Sequence, residues 1–518
     1  MLKNYLNNNL IATLLGGVLV LVYILLLLKT AWLSDDAYIT FRTVDNFING
    51  FGLRWNIAER VQSFTHPLWF FLLSGIYFIT REIYYTSIII SIFISAITVY
   101  ILAFKVTHSF QNMLIILVAI IFSNVFIDYS TSGLENPLTH FLLVLYGWVY
   151  FKKESGKEKI FLLSLLSSLL MVNRMDCALL VLPALFFELI KSRNYKFFLT
   201  AITGFLPFLI WEIFSLFYYG FPFPNTAYAK LNTGIERQAL IAQGMIYFYT
   251  SFKLDPLTIF VIICTVVLST FRQNRRFIPL SIGVVLYLMY IIWVGGDFMS
   301  GRFFAAPFVV ILIVLSMVII NSNRILAISL ATIITAGLLS PVSTVIGDKG
   351  LRSGRLIDEN GICDERVFYA RYTSLLLTLK GDNLTNFSWV NMGDSVRAIN
   401  SKFERATNIG FFGFYAGRDC HILDEFALSD PLLARLPAKS DWRIGHFQRD
   451  VPAGYEETLI TGRNEIENKN LAEYYDNLVF IIQGNLWDPQ RLKTIWKMNT
   501  KQYDYLIDRY LSLMRFNR

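Results

Sequence analysis

The chain has 518 residues, 55% of them hydrophobic and 16% aromatic, with a mean hydropathy of +0.49. These values exclude an ordinary soluble globular domain and fit a polytopic membrane protein. The net charge of +8 does not point to nucleic acid, because the basic residues stand in short clusters between apolar runs (Lys152 to Lys159, Lys191 to Lys196, Arg272 to Arg276), as cytoplasmic loops do.

The first apolar run, 10 to 30, is long and lacks a small-residue cleavage site, so no cleavable leader is expected. Further runs at 87–104, 111–127, 138–151, 160–172, 177–190, 197–217, 255–271, 277–295, 303–320 and 325–346 bring the expected spans to about eleven. The run 67–80 is too short to cross and reads as an interfacial or re-entrant segment. With the basic clusters inside, an N-in chain alternates consistently only if 67–80 does not span. The expected fold is a polytopic α-helical membrane domain over 1–346 followed by a mixed α/β soluble domain over 347–518. In the latter, 387–390 and 478–482 read as strands and 503–514 as a helix. Cys363 and Cys420 both fall in the polar C-terminal part, where a disulfide would form in an oxidising compartment.

This topology gathers the polar motifs on the outer face. Asp35 and Asp36 open the first outer loop, 31–66, just past the first span. Two adjacent carboxylates at a membrane exit repel each other and lose solvation, so they suit binding of a cation, a proton or a reacting hydroxyl; the bland alternative is an acidic turn that stops the helix. The loop is far longer than a helix connector needs. Trp55 and Trp69 read as headgroup anchors. Glu135 lies in a short outer turn, as do Arg174 and Asp176, which form either a mutual ion pair or a site for phosphate and sugar hydroxyls. Asn225, Tyr228 and Lys230 follow, and then the turn from Gly295 to Arg302 with Asp297, where the glycines permit close approach and Arg302 places a cation at lipid-phosphate level. His421 and His446 lack metal-ligand spacing and a nucleophile motif, and read first as packed side chains.

Taken in order, SDDAYITFR (34–42), NGFGLRWN (49–56), ERVQSFTHPLW (59–69), TSGLEN (131–136), NRMD (173–176), GGDFMSGR (295–302), HILDEFALSDPLLARLP (421–437) and WRIGHF (442–447) resemble the membrane-embedded GT-C glycosyltransferases, and most of all the terminal β-arabinofuranosyltransferase type. The resemblance implies a polyprenyl-phosphate-linked sugar donor, a first-loop aspartate as the essential group and a hydroxyl acceptor on a glycan, lipid or protein outside the cytoplasm, in a bacterial inner membrane. Asp35 or Asp36 is then the candidate base, with a shared divalent cation as one use of the pair. Arg42, Arg174 and Arg302 are candidates for the donor phosphate, and Glu135, Asp176, Tyr228, Lys230 and Asp297 for the donor's phosphate or sugar. His66, His421 and His446 are candidates for the acceptor side. The rival reading is a transporter or flippase of lipid-linked sugars, which would place its ionisable residues near mid-membrane on broken helices in two related halves.

Overall fold

The computed structural model describes residues 2–192, 194–320, 322–346, 357–381 and 386–516. The basic cluster Lys191 to Lys196 and the start of the domain expected from 347 lie partly outside the described residues. The chain resolves into two compact units: Met1–Ser34, Glu82–Phe208 and Arg237–Leu384 form unit 1, while Asp35–Arg81, Leu209–Glu236 and Thr385–Arg518 form unit 2.

Unit 1 is helical. Three helical stretches are long and apolar enough to cross a bilayer: Ala12–Thr30, Ile83–Val106 and Arg275–Val294. Two bent pairs, Tyr195–Gly204 with Leu206–Tyr218 (52°) and Arg237–Leu254 with Pro256–Thr270 (111°), raise the number to five if each is one span. Most other expected spans are shorter helices of 13 to 17 residues, such as Phe110–Phe122, Asn136–Lys152 and Lys157–Asn173. Helix Ala305–Met317 is buried along its whole length, as expected of a helix that is apolar on every face. It packs against Asn136–Lys152 at Gly147, where a Cβ would stand 2.3 Å from Ile313 Cγ2. Small residues let membrane helices approach this closely.

Unit 2 begins with helices α2 (Asp35–Ile48) and α3 (Pro67–Thr80); α1 (Leu2–Thr30) precedes them in the chain. Proline at the first position opens α3, and Arg81 closes it in the left-handed conformation, its N–H donating to the Tyr77 carbonyl. Fourteen residues make about 21 Å of helix, against roughly 30 Å of hydrocarbon. Strands β1 (Phe403–Ala406) and β2 (His421–Asp424) pair in parallel, with Phe403 opposite His421 and Ala406 opposite Asp424. Helix Phe411–Ala416 makes the crossover that a parallel pair requires.

The two expected strands are helices. Residues 478–482 lie inside Lys469–Gln483, whose buried positions Leu471, Tyr474, Tyr475, Leu478, Ile481 and Ile482 recur at helical spacing. Asn468 caps its start, accepting the N–H groups of Asn470 and Leu471. The run Leu-Val-Phe-Ile-Ile has β-type composition, but the three- and four-residue period of the longer window decides. Likewise 387–390 leads into Ser388–Ala398, with Val390 and Gly393 buried one turn apart. The two-stranded pair is the only sheet among the described residues. The expected C-terminal helix is present as Asp504–Phe516. All four cysteines, Cys363 and Cys420 included, are free thiols.

Candidate functional site

In unit 2, Asp35 is the first residue of α2 and is 6% exposed. Its Oδ1 accepts the Phe411 N–H at 2.7 Å and its Oδ2 the Gly410 N–H at 3.2 Å. A Cβ on residue 410 would stand 1.9 Å from the Asp35 carbonyl oxygen, so the approach requires glycine. Burial pushes the Asp35 carboxyl up to about 7, with Asp36 adding repulsion against the lowering effect of the two amides. Its neighbour Asp36 is half-buried. Among the described residues no three Asp, Glu, His or Cys side chains converge to hold a metal ion.

Arg42, one face further along α2, clamps this platform. Its Nε donates to the Trp55 carbonyl at 3.0 Å, Nη1 to Gly413 at 2.5 Å and Nη2 to Cys420 at 2.8 Å, and the guanidinium lies 4.2 Å from the centre of the Trp55 ring. Trp55 is completely buried, so it serves as a packing residue rather than a headgroup anchor. Asn56 reads β2 through both backbone groups of Ile422 and also donates to Glu59 Oε1 at 3.2 Å. Burial, then the charge of Asp430, pushes Glu59 up to about 8. Asn56 and Glu59 stand in the motifs at 49–56 and 59–69 but carried no individual role there, because two polar residues in a loop rich in polar residues give a slight signal. The Gly410 amide was also missed, although glycine between a strand and an aromatic helix marks a close backbone approach.

The histidines are built in. His66 Nε2 lies 2.9 Å from Thr40 Oγ1 and its Nδ1 3.2 Å from Thr65 Oγ1. His421 stacks on Phe403, and burial lowers it to about 4. His446 meets Phe426 edge-on, and burial followed by Arg443 lowers it to about 3. Both are therefore neutral at pH 7. Tyr228 and Lys230 share helix Asn225–Leu231; Arg435 stands over the Tyr228 ring at 4.9 Å, and Lys230 is among the charges felt by His446.

In unit 1 the three short turns bearing Glu135, Arg174 with Asp176, and Asp297 with Arg302 come together. Arg174 grips Asp176 through Nε at 2.9 Å and reaches Glu135 Oε1 at 3.5 Å, while Arg302 reaches the same oxygen at 3.3 Å and Asp297 at 3.7 Å. Tyr287, absent from the sequence reading because it sits mid-run in an apolar helix, donates to Asp176 at 2.8 Å and accepts from Arg174 at 3.0 Å. Asn173 buttresses the cluster, donating to Thr139 Oγ1 at 2.9 Å and to the Glu135 carbonyl. Glu135 is 2% exposed and Asp297 3%. Three carboxylates facing two guanidiniums in a buried network hold fixed charge and rigid geometry.

No family model matches the chain. The terminal beta-(1->2)-arabinofuranosyltransferase of Mycobacterium tuberculosis is 26% identical to it, covering 81% of this chain and 81% of the relative. A protein of the same name from Corynebacterium glutamicum is 23% identical, covering 80% of this chain and 72% of the relative. The motif resemblance thus extends along most of the chain, which is a distant relative of the terminal beta-(1->2)-arabinofuranosyltransferases.

Proposed function

We propose that the chain is a membrane glycosyltransferase that moves a sugar, arabinofuranose in the first instance, from a polyprenyl-phosphate donor to a hydroxyl of an envelope glycan, lipid or protein. We place the reaction on the extracytoplasmic face, with about eleven spans up to residue 346 and the segment from 347 outside. The single observation that carries the reading is Asp35: a buried carboxyl on two amide donors, poised at about 7, at the start of the first outer loop. The relatives' names support the same activity.

A general base works best when its pKa lies near the working pH. Ionised Asp35 accepts the proton of the acceptor hydroxyl as that oxygen bonds to the anomeric carbon. The bond from that carbon to the phosphate oxygen breaks, and its electron pair leaves on polyprenyl phosphate. Asp36 tunes Asp35 by repulsion. In unit 1, Arg174 and Arg302 with Glu135, Asp176 and Asp297 make a rigid charged network, and in unit 2 Arg42 fixes the platform under Asp35.

The test is transfer from synthetic polyprenyl-phospho-arabinofuranose by purified wild type, Asp35→Asn and Asp36→Asn, each checked for folding and donor binding. The expected result is a loss of about 10²–10⁴-fold in Asp35→Asn and a much smaller loss in Asp36→Asn. Equal rates in wild type and Asp35→Asn would overturn the assignment.

A further inference from the structure

Unit 2 also holds an open cavity of about 280 Å³. It lies toward the far end of α2 from Asp35: Asp45 and Asn46 line it, and ten residues of helix span about 15 Å. Tyr77 of α3 lines it as well, and Arg397, Asn400, Arg418 and Asp419 come from the C-terminal part of the unit.

The chemistry of the lining narrows the ligand. Arg397 and Arg418 are matched in number by Asp45 and Asp419, and the third arginine, Arg42, is engaged with three backbone carbonyls. A phosphate pocket needs surplus cations and N–H donors. Here Arg397 and Arg418 are accompanied by Asp45 and Asp419, so donors and acceptors line the same cavity, which suits hydroxyl groups because each one both donates and accepts. Asn46 is 1% exposed and its Nδ2 donates to the carbonyls of Arg54 and Trp55, which fixes it in the cavity wall. Tyr77 and Phe414 add aromatic carbon, whose electron-rich faces attract the C–H groups of a sugar ring.

We propose that this cavity is a glycan subsite, holding a sugar ring of the acceptor several residues away from the hydroxyl that reacts. This rests on the glycosyltransferase reading above for the word acceptor; recognition of a polyhydroxylated ring rests on the cavity alone.

The experiment uses the full chain in nanodiscs, titrated calorimetrically with a linear arabinofuranosyl hexasaccharide in the absence of donor, for wild type, Arg397→Ala and Asn400→Ala. Arg397 and Asn400 are exposed, so both variants should fold, Arg397→Ala with an unchanged melting temperature and Asn400→Ala with a small decrease, because residue 400 is left-handed (φ 59°). Expected is binding by wild type that weakens about ten-fold in each variant, as loss of a hydrogen bond to a charged or polar group entails, and that excess inorganic phosphate does not displace. In transfer assays the same variants should raise KM for the hexasaccharide and leave a disaccharide, too short to reach the cavity from Asp35, unaffected. No hexasaccharide binding by wild type, unchanged binding in both variants, or displacement by phosphate would overturn the proposal. If the variants lose binding while wild type transfers from no lipid-linked donor, the subsite stands and the glycosyltransferase reading fails.

Discussion

Both units bury carboxylates, and the cluster around Glu135 and the group around Asp35 stabilise them by opposite means. In unit 1, Glu135, Asp176 and Asp297 face the guanidiniums of Arg174 and Arg302. In unit 2, Asp35 rests on the amides of Gly410 and Phe411, Asp424 on those of Phe426 and Ser429, and Asp430 on that of Leu433 with the Tyr455 hydroxyl. The buried arginines of unit 2 turn instead to backbone carbonyls: Arg60 to Tyr218, Ile481 and Gly484, Arg449 to Leu436, Phe447 and Ala229, and Arg491 to Ile481, Phe217 and Tyr218. A full positive charge holds a carboxylate ionised, whereas an amide offsets only part of the desolvation cost. Asp35, Asp424 and Asp430 therefore sit at about 7, 7 and 6, with burial the leading cause in each. Amide-held acids can exchange protons near neutrality, and arginine-held acids supply a fixed field.

The sharpest break in this contrast is to remove one acid of each kind. Asp35→Asn should abolish most transfer while the chain still folds. Glu135→Ala removes the carboxylate that Arg174 and Arg302 share, leaves Arg174 with Asp176 and Arg302 with Asp297, and should cost about 1–3 kcal/mol of stability, read as a fall in melting temperature. If Glu135→Ala is as stable as wild type, the cluster is not a rigid charge network. Gly410→Ala comes next: its Cβ would collide with the Asp35 backbone, and overpacking of this kind costs about 1–3 kcal/mol. Transfer should fall with stability, and a Gly410→Ala enzyme with the wild-type pH profile would show that the Gly410 amide does not set Asp35.

The sequence disclosed the helices of unit 1 through their apolar runs, and the turns bearing Glu135, Arg174 and Arg302 through charges placed where a span should end. It did not disclose that residues 35–81 and 385–516 belong to one compact unit. The Asp35 site depends on that packing, because its ligands are backbone amides more than 370 residues away in the chain, and an amide leaves no mark in residue identity. The same limit hid the role of Arg42: its spacing fitted phosphate binding, yet its partners are carbonyls. Tyr287 was hidden by an apolar helix that gives no hint of which side chain reaches a charge. The stretch 478–482 misled because a five-residue window cannot separate a strand from one face of a helix.

The pH dependence of stability distinguishes the two modes of burial. Asp35, Glu59, Asp424 and Asp430 are raised in the folded chain to about 7, 8, 7 and 6. A raised carboxyl binds more protons folded than unfolded, so stability falls as pH rises from its unfolded value through its folded one. His421 and His446 are lowered to about 4 and 3 and act the other way, losing stability as pH falls below about 6.5. Between pH 8 and pH 6.5 the acids dominate, because the histidines of the unfolded chain are only beginning to protonate there. The melting temperature should therefore rise on acidification across that range, by a stability gain of roughly 1–3 kcal/mol, and Asp424→Asn should flatten the rise. A melting temperature that falls on going from pH 8 to 6.5 would mean that these carboxyls are held ionised.

The smallest effect belongs to Asp36. Its charge helps to raise Asp35, behind burial, so Asp36→Asn should lower the pH at which transfer reaches half its maximum. Asp35 is needed ionised, and the acidic limb of the transfer profile marks its deprotonation. Removing a like charge favours the ionised form, so the limb should move to lower pH by a fraction of a unit while the plateau above pH 8 stays near the wild-type rate. A limb that does not move would show that Asp36 and Asp35 do not interact electrostatically. A plateau that collapses together with an unmoved limb would make Asp36 the base, with Asp35 the structural carboxylate on its two amides.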